Sequence, residues 1–239
     1  MLTVEHIQTD GWSQAIRGMR NPMNSWDRSD SGFAIDDEWI DYIDINNVII
    51  PHVVEGESGP VNLDADGNGF FVGPNDKKLM KQLRDAGKDH AKYRRMITIW
   101  CDICAPLYWW KEFDTYKVGT VANSCSTMHK IAEKEFTFDD FSCEHLSDFA
   151  KYYILGATIH ELNVNRREFL LTGDKQYWWN MIQLLPSSYN QRRTVMLNYE
   201  VLSNIYPARR NHKLDEWHTL CDIIEELPES WIITGKDEE

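Results

Sequence analysis

The residues best suited to chemistry lie close together between Pro106 and Lys130, in the stretch PLYWWKEFDTYKVGTVANSCSTMHK. Tyr108, Trp109 and Trp110 could wall a cleft on which a flat ring stacks. Glu112, Lys117 and the run Asn123-Ser124-Cys125-Ser126-Thr127 could orient a polar or anionic ligand. Cys125, between two serines and near Lys117, is either an activated thiol or, on the favoured reading, a small buried residue. A second candidate is Arg209. Asn198, Leu202 and Ile205 recur at helical spacing, so one stripe mixes core residues with an amide, and Pro207 is expected to end or kink that helix just before the arginine. An arginine at such a break either meets an anion arriving from another element or balances the helix dipole, and the two readings stand level. Arg210 and Lys213 would raise the positive potential around it.

Other patterns fail on their spacing. Cys101 and Cys104 form a CxxC, but MITIWCDIC alternates like a strand and would put the two thiols on opposite faces, so no shared metal is expected. His160-Glu161 begins like a zinc-protease helix, yet Val164 stands where the second histidine belongs. Asp64, Asp66, Asn68 and Gly69 have calcium-loop spacing, but Asn75 replaces the bidentate glutamate; a turn is expected, with calcium a minor alternative. The sequence contains no GxGxxG, Walker loop or internal repeat.

Composition narrows the partners. The 239 residues suffice for one large domain with a real core, and most of the ten tryptophans are expected inside it. A formal net charge of -13 repels a nucleic-acid backbone and leaves a small anion as the ligand class. Of the arginine pairs 94–95, 166–167, 192–193 and 209–210, at least half are expected to be solvated helix faces. With no apolar run long enough for a bilayer, no leader pattern and five cysteines without framework spacing, the sequence reads as cytoplasmic.

The elements that would position these residues follow from periodicity and breakers. Short strand candidates such as DYIDINNVII precede about Asn75. From Asp76 the order reads helix, strand, helix, then mostly helix. NDKKLMKQLRDAG carries an Asn or Asp cap and a closing Gly87, and Ala105-Pro106 ends a strand with Pro106 at the first position of the next helix. LSDFAKYYILGATIHELNVNRREFLL sets Phe149, Tyr153, His160 and Phe169 among apolar residues at helical spacing.

Leu185-Pro186, Asn198, Leu202, Asn204 and Arg209 resemble the carboxy-terminal motif of the flavin-dependent thymidylate synthase (ThyX) superfamily. The block from Lys78 to Lys130 is similar to that family's preceding half. The family signature, Arg-His-Arg-x-x-Ser-x-Asn-Glu-x-Ser-x-Arg, falls on Thr115 to Met128 with one extra residue. Asn123 and Ser126 match outright, and Lys117 and Thr120 match in part. Thr115, Tyr116, Ser124 and Met128 replace an arginine, the histidine, the glutamate and another arginine.

The resemblance implies an α+β fold, a helical bundle against a mixed sheet with a helix-rich carboxy-terminal half. It spans residues 1–235 as one domain, with about 51–77 a loop insertion and 236–239 a disordered acidic tail. It implies a homotetramer with sites between subunits, and chemistry that uses FAD, NADPH and methylenetetrahydrofolate to methylate dUMP. Carried over residue by residue, the nucleotide contacts are Glu112, Ser124, Ser126 and Arg209, and the flavin contacts are Lys117, Asn123, Asn198 and Asn204. The lost arginines imply weak or absent FAD binding. Glu112, where the family has a glutamine, only accepts hydrogen bonds, which suits a donor-rich or protonated ligand edge. Two functions follow: a divergent synthase acting on a pyrimidine nucleotide, or a tetrameric binding protein that captures a nucleotide without flavin chemistry.

Overall fold

The computed structural model describes residues 1–34, 62–63 and 69–236. The strand candidate Asp41–Ile50, the calcium-like positions 64 to 68 and the last three residues of the tail lie outside the described residues. In chain order the elements are β1 (Thr3–Asp10), α1 (Trp12–Arg20), β2 (Gly32–Ala34), β3 (Asn62–Leu63), β4 (Gly69–Phe71), α2 (Pro74–Asp85), β5 (Thr98–Pro106), α3 (Leu107–Phe113), β6 (Val121–Ser124) and α4 (Thr127–Lys130). A π-helical turn, Phe149–Leu155, then runs into α5 (Gly156–Thr172), followed by α6 (Lys175–Leu184), β7 (Asn190–Asn198), α7 (Tyr199–Arg209), α8 (Asp215–Glu225) and α9 (Trp231–Thr234).

The alternation in TIWCDICAP produces β5, with Ile99, Cys101 and Ile103 buried and Asp102 and Cys104 on the opposite face. The two cysteines of the CxxC therefore point apart, as expected. β5 lies between β1 and β7 in a sheet of order β1-β5-β7-β6, and all three pairings are antiparallel where the resemblance implied a mixed sheet. β2, β4 and β3 form a second, smaller antiparallel sheet. Of the expected insertion at about 51–77, residues 69–77 form β4 and the first turn of α2, with Phe70 and Val72 in the main core.

Beyond α3 the chain is mostly helical, as expected, but β7 is a strand where the sequence pattern suggested a helix. Its only buried side chains are Val195 and Leu197, and the rest of NQRRTVMLN is polar or half-exposed. The nine-residue register with β5, from Thr98↔Asn198 to Pro106↔Asn190, makes it a strand. Asn198 is accordingly the N-cap of α7, its Oδ1 accepting from the Val201 amide at 3.0 Å, and not a member of a helical stripe. Pro207 neither ends α7 nor opens its last turn: the helix continues through Arg209, and the Arg210 amide donates to the Tyr206 carbonyl at 2.9 Å.

Two further details differ. Pro106 is the N-cap of α3, so the helix starts at Leu107, one residue later than expected. At α2 the N-cap is Gly73, and neither Asn75 nor Asp76 caps the helix. Asp30 accepts from the Asn75 amide at 2.8 Å and the Asp76 amide at 3.2 Å, so a carboxylate from a preceding segment meets the helix N-terminus. A Cβ on Gly73 would lie 2.4 Å from that carboxylate, so only glycine fits there.

The main core packs α1, α3, α7 and α8 against the sheet around Trp12, Trp109, Trp110, Trp217 and Tyr199. Trp109 stacks on Phe113 and lies 4.8 Å from Trp217, centroid to centroid. Trp109 and Trp110 are buried in this core and so do not form the exposed aromatic wall expected of them. A second core, built on Ile131, Phe141, Leu155, Leu162 and Met181, joins α5 and α6. The expected apolar stripe of the preceding π-turn and α5 is largely outside it: Phe149 is 65% exposed and Tyr153 68% exposed, and His160 also faces solvent.

Candidate functional site

Two of the four candidate nucleotide residues meet. α3 carries Glu112 on its last turn and α7 ends at Arg209, and the guanidinium Nη1 donates to Glu112 Oε2 at 2.6 Å. Arg209 Nε donates to the Tyr116 hydroxyl at 2.9 Å. The guanidinium also lies over the Trp217 ring, 4.5 Å from its centroid. Glu112 Oε2 accepts a further bond from Trp217 Nε1 at 3.1 Å, and His212 Nε2 stands 3.4 Å away. Arg209 is thus held in one orientation by a hydroxyl, a carboxylate and an aromatic face, with its side chain 17% exposed. Nη2 makes no hydrogen bond among the described residues. Arg210 adds little positive potential, because Asp222 and Glu225 pair with it.

Ser126 belongs to another place. The signature-like stretch turns at Gly119, whose φ of +82° favours glycine, and a Cβ there would lie 2.9 Å from Asn198 Nδ2. It then forms β6, where Asn123 and Ser124 are exposed and Ser124 pairs with Arg193 of β7. Cys125, Ser126 and Thr127 follow, lining a cavity of about 340 Å³ with Cys104, Lys134 and Arg192. Ser126 caps α4, accepting from the His129 amide at 3.2 Å. The cavity's cations have partners already: Arg192 holds Glu5 and Asp102 at 2.8 and 3.0 Å, and Lys134 pairs with Asp140. Asp140 holds the Lys134 ammonium pKa above its ordinary value, while burial keeps the Cys104 thiol protonated above the usual cysteine range. Cys125 is exposed and so is not the small buried residue of the favoured reading.

Two of the four flavin candidates, Asn198 and Asn204, are hydrogen-bonded within the chain. Asn198 uses its oxygen to cap α7. Asn204 donates to the Glu200 carbonyl at 2.8 Å and accepts from Lys88 Nζ at 2.7 Å. Lys117 and Asn123 are exposed, and none of the four lines the 340 Å³ cavity. The Tyr116 hydroxyl is occupied by Arg209.

Among the other arginine pairs, Arg193 lies over Trp110 at 4.1 Å and bonds Asp114 at 2.7 Å, and Arg166 donates to the Ala132 carbonyl at 3.0 Å. These arginines hold structure together and are not merely solvated. The sequence reading missed His212 and Trp217 as neighbours of Arg209, and Cys104, Lys134 and Arg192 as neighbours of Ser126. The only sequence signal for the first pair is the aromatic and histidine content of NHKLDEW just after Arg209; the second group lies on three separate elements.

No family model and no curated protein sequence matches the chain. Among solved structures, it is similar to two of flavin-dependent thymidylate synthase ThyX from Helicobacter pylori with FAD and dUMP. Both have a TM-score of 0.59 and 14% identity over 98% of this chain, and 97% and 95% of theirs. A UMP/dUMP methylase, PolB from Streptomyces cacaoi, bound with 5-Br UMP, matches 65% of this chain and 77% of its own at 13% identity and a TM-score of 0.47. At such identity the likeness concerns the backbone. The chain has the α+β fold of the flavin-dependent thymidylate synthases.

Proposed function

We propose that this protein binds a small pyrimidine nucleotide of the dUMP type, with Arg209 as its main anion contact, and has lost flavin chemistry. The observation that carries the reading is the fixed guanidinium: Tyr116 and Trp217 orient it and Nη2 is left unbonded. A pre-oriented arginine loses little freedom on meeting a phosphate or a carbonyl edge, so it binds more tightly than a mobile one. Ser124 and Ser126 are further nucleotide contacts in this reading. They lie apart from Arg209 in the single chain, which fits a site completed by another subunit. Homotetramer assembly is part of the proposal, supported by the exposed Phe149, Tyr152, Tyr153 and Ile154, a cluster of large apolar side chains that water solvates poorly. No described helix is long and apolar enough to cross a membrane.

The runner-up is a divergent synthase that uses FAD, NADPH and methylenetetrahydrofolate; the FAD and dUMP in the similar ThyX structures favour it. Against it stand the intrachain bonds of Asn198 and Asn204 and the replacement of the signature arginines. Denaturing the purified protein and analysing released small molecules by mass spectrometry, alongside calorimetric titration with dUMP, separates the two. Nucleotide binding without flavin supports the binding protein, and stoichiometric FAD supports the synthase. Failure to bind dUMP, with no released nucleotide, defeats both.

A further inference from the structure

The end of the molecule built from α1, β4 and the start of α2 contains a second cavity, of about 360 Å³, that shares no residue with the Arg209 cluster or the cavity at Ser126. Its apolar surface comes from Ile16 and Phe70, both buried, and from the indole of Trp26. That indole is 49% exposed, and its Nε1 donates to Asn21 Oδ1 at 2.8 Å, which fixes the ring at the cavity mouth.

Its charges are unevenly matched. Buried Arg20 donates through Nε to Asp76 Oδ1 at 2.6 Å and through Nη1 to the Ser25 carbonyl at 3.1 Å. Asp76, fully buried, also accepts from Ser29 and Ser31, each at 2.7 Å, so the Arg20–Asp76 pair is neutral and saturated. Arg17, one turn before Arg20 on α1, lines the same cavity, is exposed, and makes no ion pair among the described residues. Among the described residues, the cavity therefore carries one positive charge without an ion-pair partner. Ser29 and Ser31 donate their protons to Asp76, and Ser31 Oγ also accepts from the Gly73 amide at 2.9 Å, so both hydroxyls can only accept from a ligand, Ser31 through its one remaining lone pair.

A fixed indole, an apolar floor, one unpaired guanidinium and hydroxyl acceptors select a particular chemistry. We propose that this cavity binds a small single-ring aromatic carboxylate bearing a hydroxyl or amino donor. The carboxylate pairs with Arg17, the ring packs against Trp26, and the ring donor reaches the Ser29 or Ser31 oxygen. A guanidinium–carboxylate fork and an aromatic contact together suit such a ligand, whereas a phosphate without a ring would leave the apolar surface uncovered. This site is independent of the nucleotide reading.

The test is calorimetric titration of the full-length protein with 4-hydroxybenzoate, benzoate and 4-hydroxybenzyl alcohol. We expect 4-hydroxybenzoate to bind at millimolar concentration or below, and benzoate and the uncharged alcohol to bind more weakly. Arg17→Gln and Trp26→Ala should each weaken 4-hydroxybenzoate by about tenfold, the loss expected for one charged hydrogen bond or one ring contact. Trp26→Phe, which keeps a ring, should restore most of the binding if Trp26→Ala does not fold. Titration with dUMP should be unchanged in Arg17→Gln. Absence of binding at millimolar 4-hydroxybenzoate, equal binding of the alcohol, or indifference to both Arg17→Gln and the Trp26 variants would overturn the proposal.

Discussion

Glu112→Gln tests the Arg209 site most sharply, because the carboxylate now occupies the charge that a nucleotide would need. Two unit charges about 4 Å apart attract by roughly 4 kcal/mol at a near-surface effective dielectric. The Glu112 side chain is 36% exposed, so solvent screening reduces the net value of the pair to about 1 kcal/mol. An incoming anion must displace or share that interaction. Glutamine keeps an oxygen that can accept from Trp217 Nε1 but carries no charge, so dUMP affinity should rise about fivefold, the equivalent of about 1 kcal/mol. Arg209→Ala should lower affinity by roughly two orders of magnitude, since loss of a charged partner from a desolvated anion site costs about 2 to 5 kcal/mol. Calorimetry on the four members of the cycle, wild type, both single variants and the double variant, isolates the coupling. If Glu112 acts by neutralising the Arg209 charge, the fivefold gain disappears in the Arg209→Ala background. A gain of equal size in both backgrounds would mean that Glu112 merely repels the ligand at a distance. No change in dUMP affinity in either single variant would make Arg209 a structural cation and remove the nucleotide site with it.

Light scattering at micromolar concentration should give a tetramer, and Phe149→Glu with Tyr153→Glu should yield a smaller species with its circular dichroism unchanged; a wild-type monomer would end the shared-site reading. Gly119→Ala should lower stability by about 1 to 2 kcal/mol, as a non-glycine residue at φ +82° pressed against Asn198 is strained, and a melting temperature equal to wild type would contradict the geometry. Burial pushes the Cys101 thiol from 9.0 up to about 12, so the folded state holds that proton more tightly than the unfolded chain. Its contribution is complete below about pH 9 and is lost as pH rises toward 12; Cys101→Ala should flatten that part of the denaturant-midpoint profile, and an unchanged slope would count against the assignment. Iodoacetamide at neutral pH should label exposed Cys125 before Cys104, whose thiol burial keeps protonated.

The strand β5, the helices α2 and α3 and the divided CxxC were legible because each depends on short-range pattern: alternation, a proline or glycine at an element end, and residue spacing. The resemblance carried by Asn198, Leu202, Asn204 and Arg209 likewise pointed to the fold that the backbone adopts. β7 was not legible. With only Val195 and Leu197 buried, its own pattern is weak, and pairing with β5 along nine residues decides its conformation. Pro207 does not end the helix for a related reason: in α7 Ile205 and Tyr206 are buried in the main core and the next turn still closes on the Tyr206 carbonyl. Sequence spacing could nominate Glu112 and Arg209 as separate contacts for a ligand. It could not show that they contact each other, because they are 97 residues apart and meet only when α3 and α7 pack on the same sheet beneath Trp217. Charge on a side chain is a property of the sequence, whereas which opposite charge it faces is set by long-range packing, and at Arg209 that packing determines how much of the charge is left for a ligand.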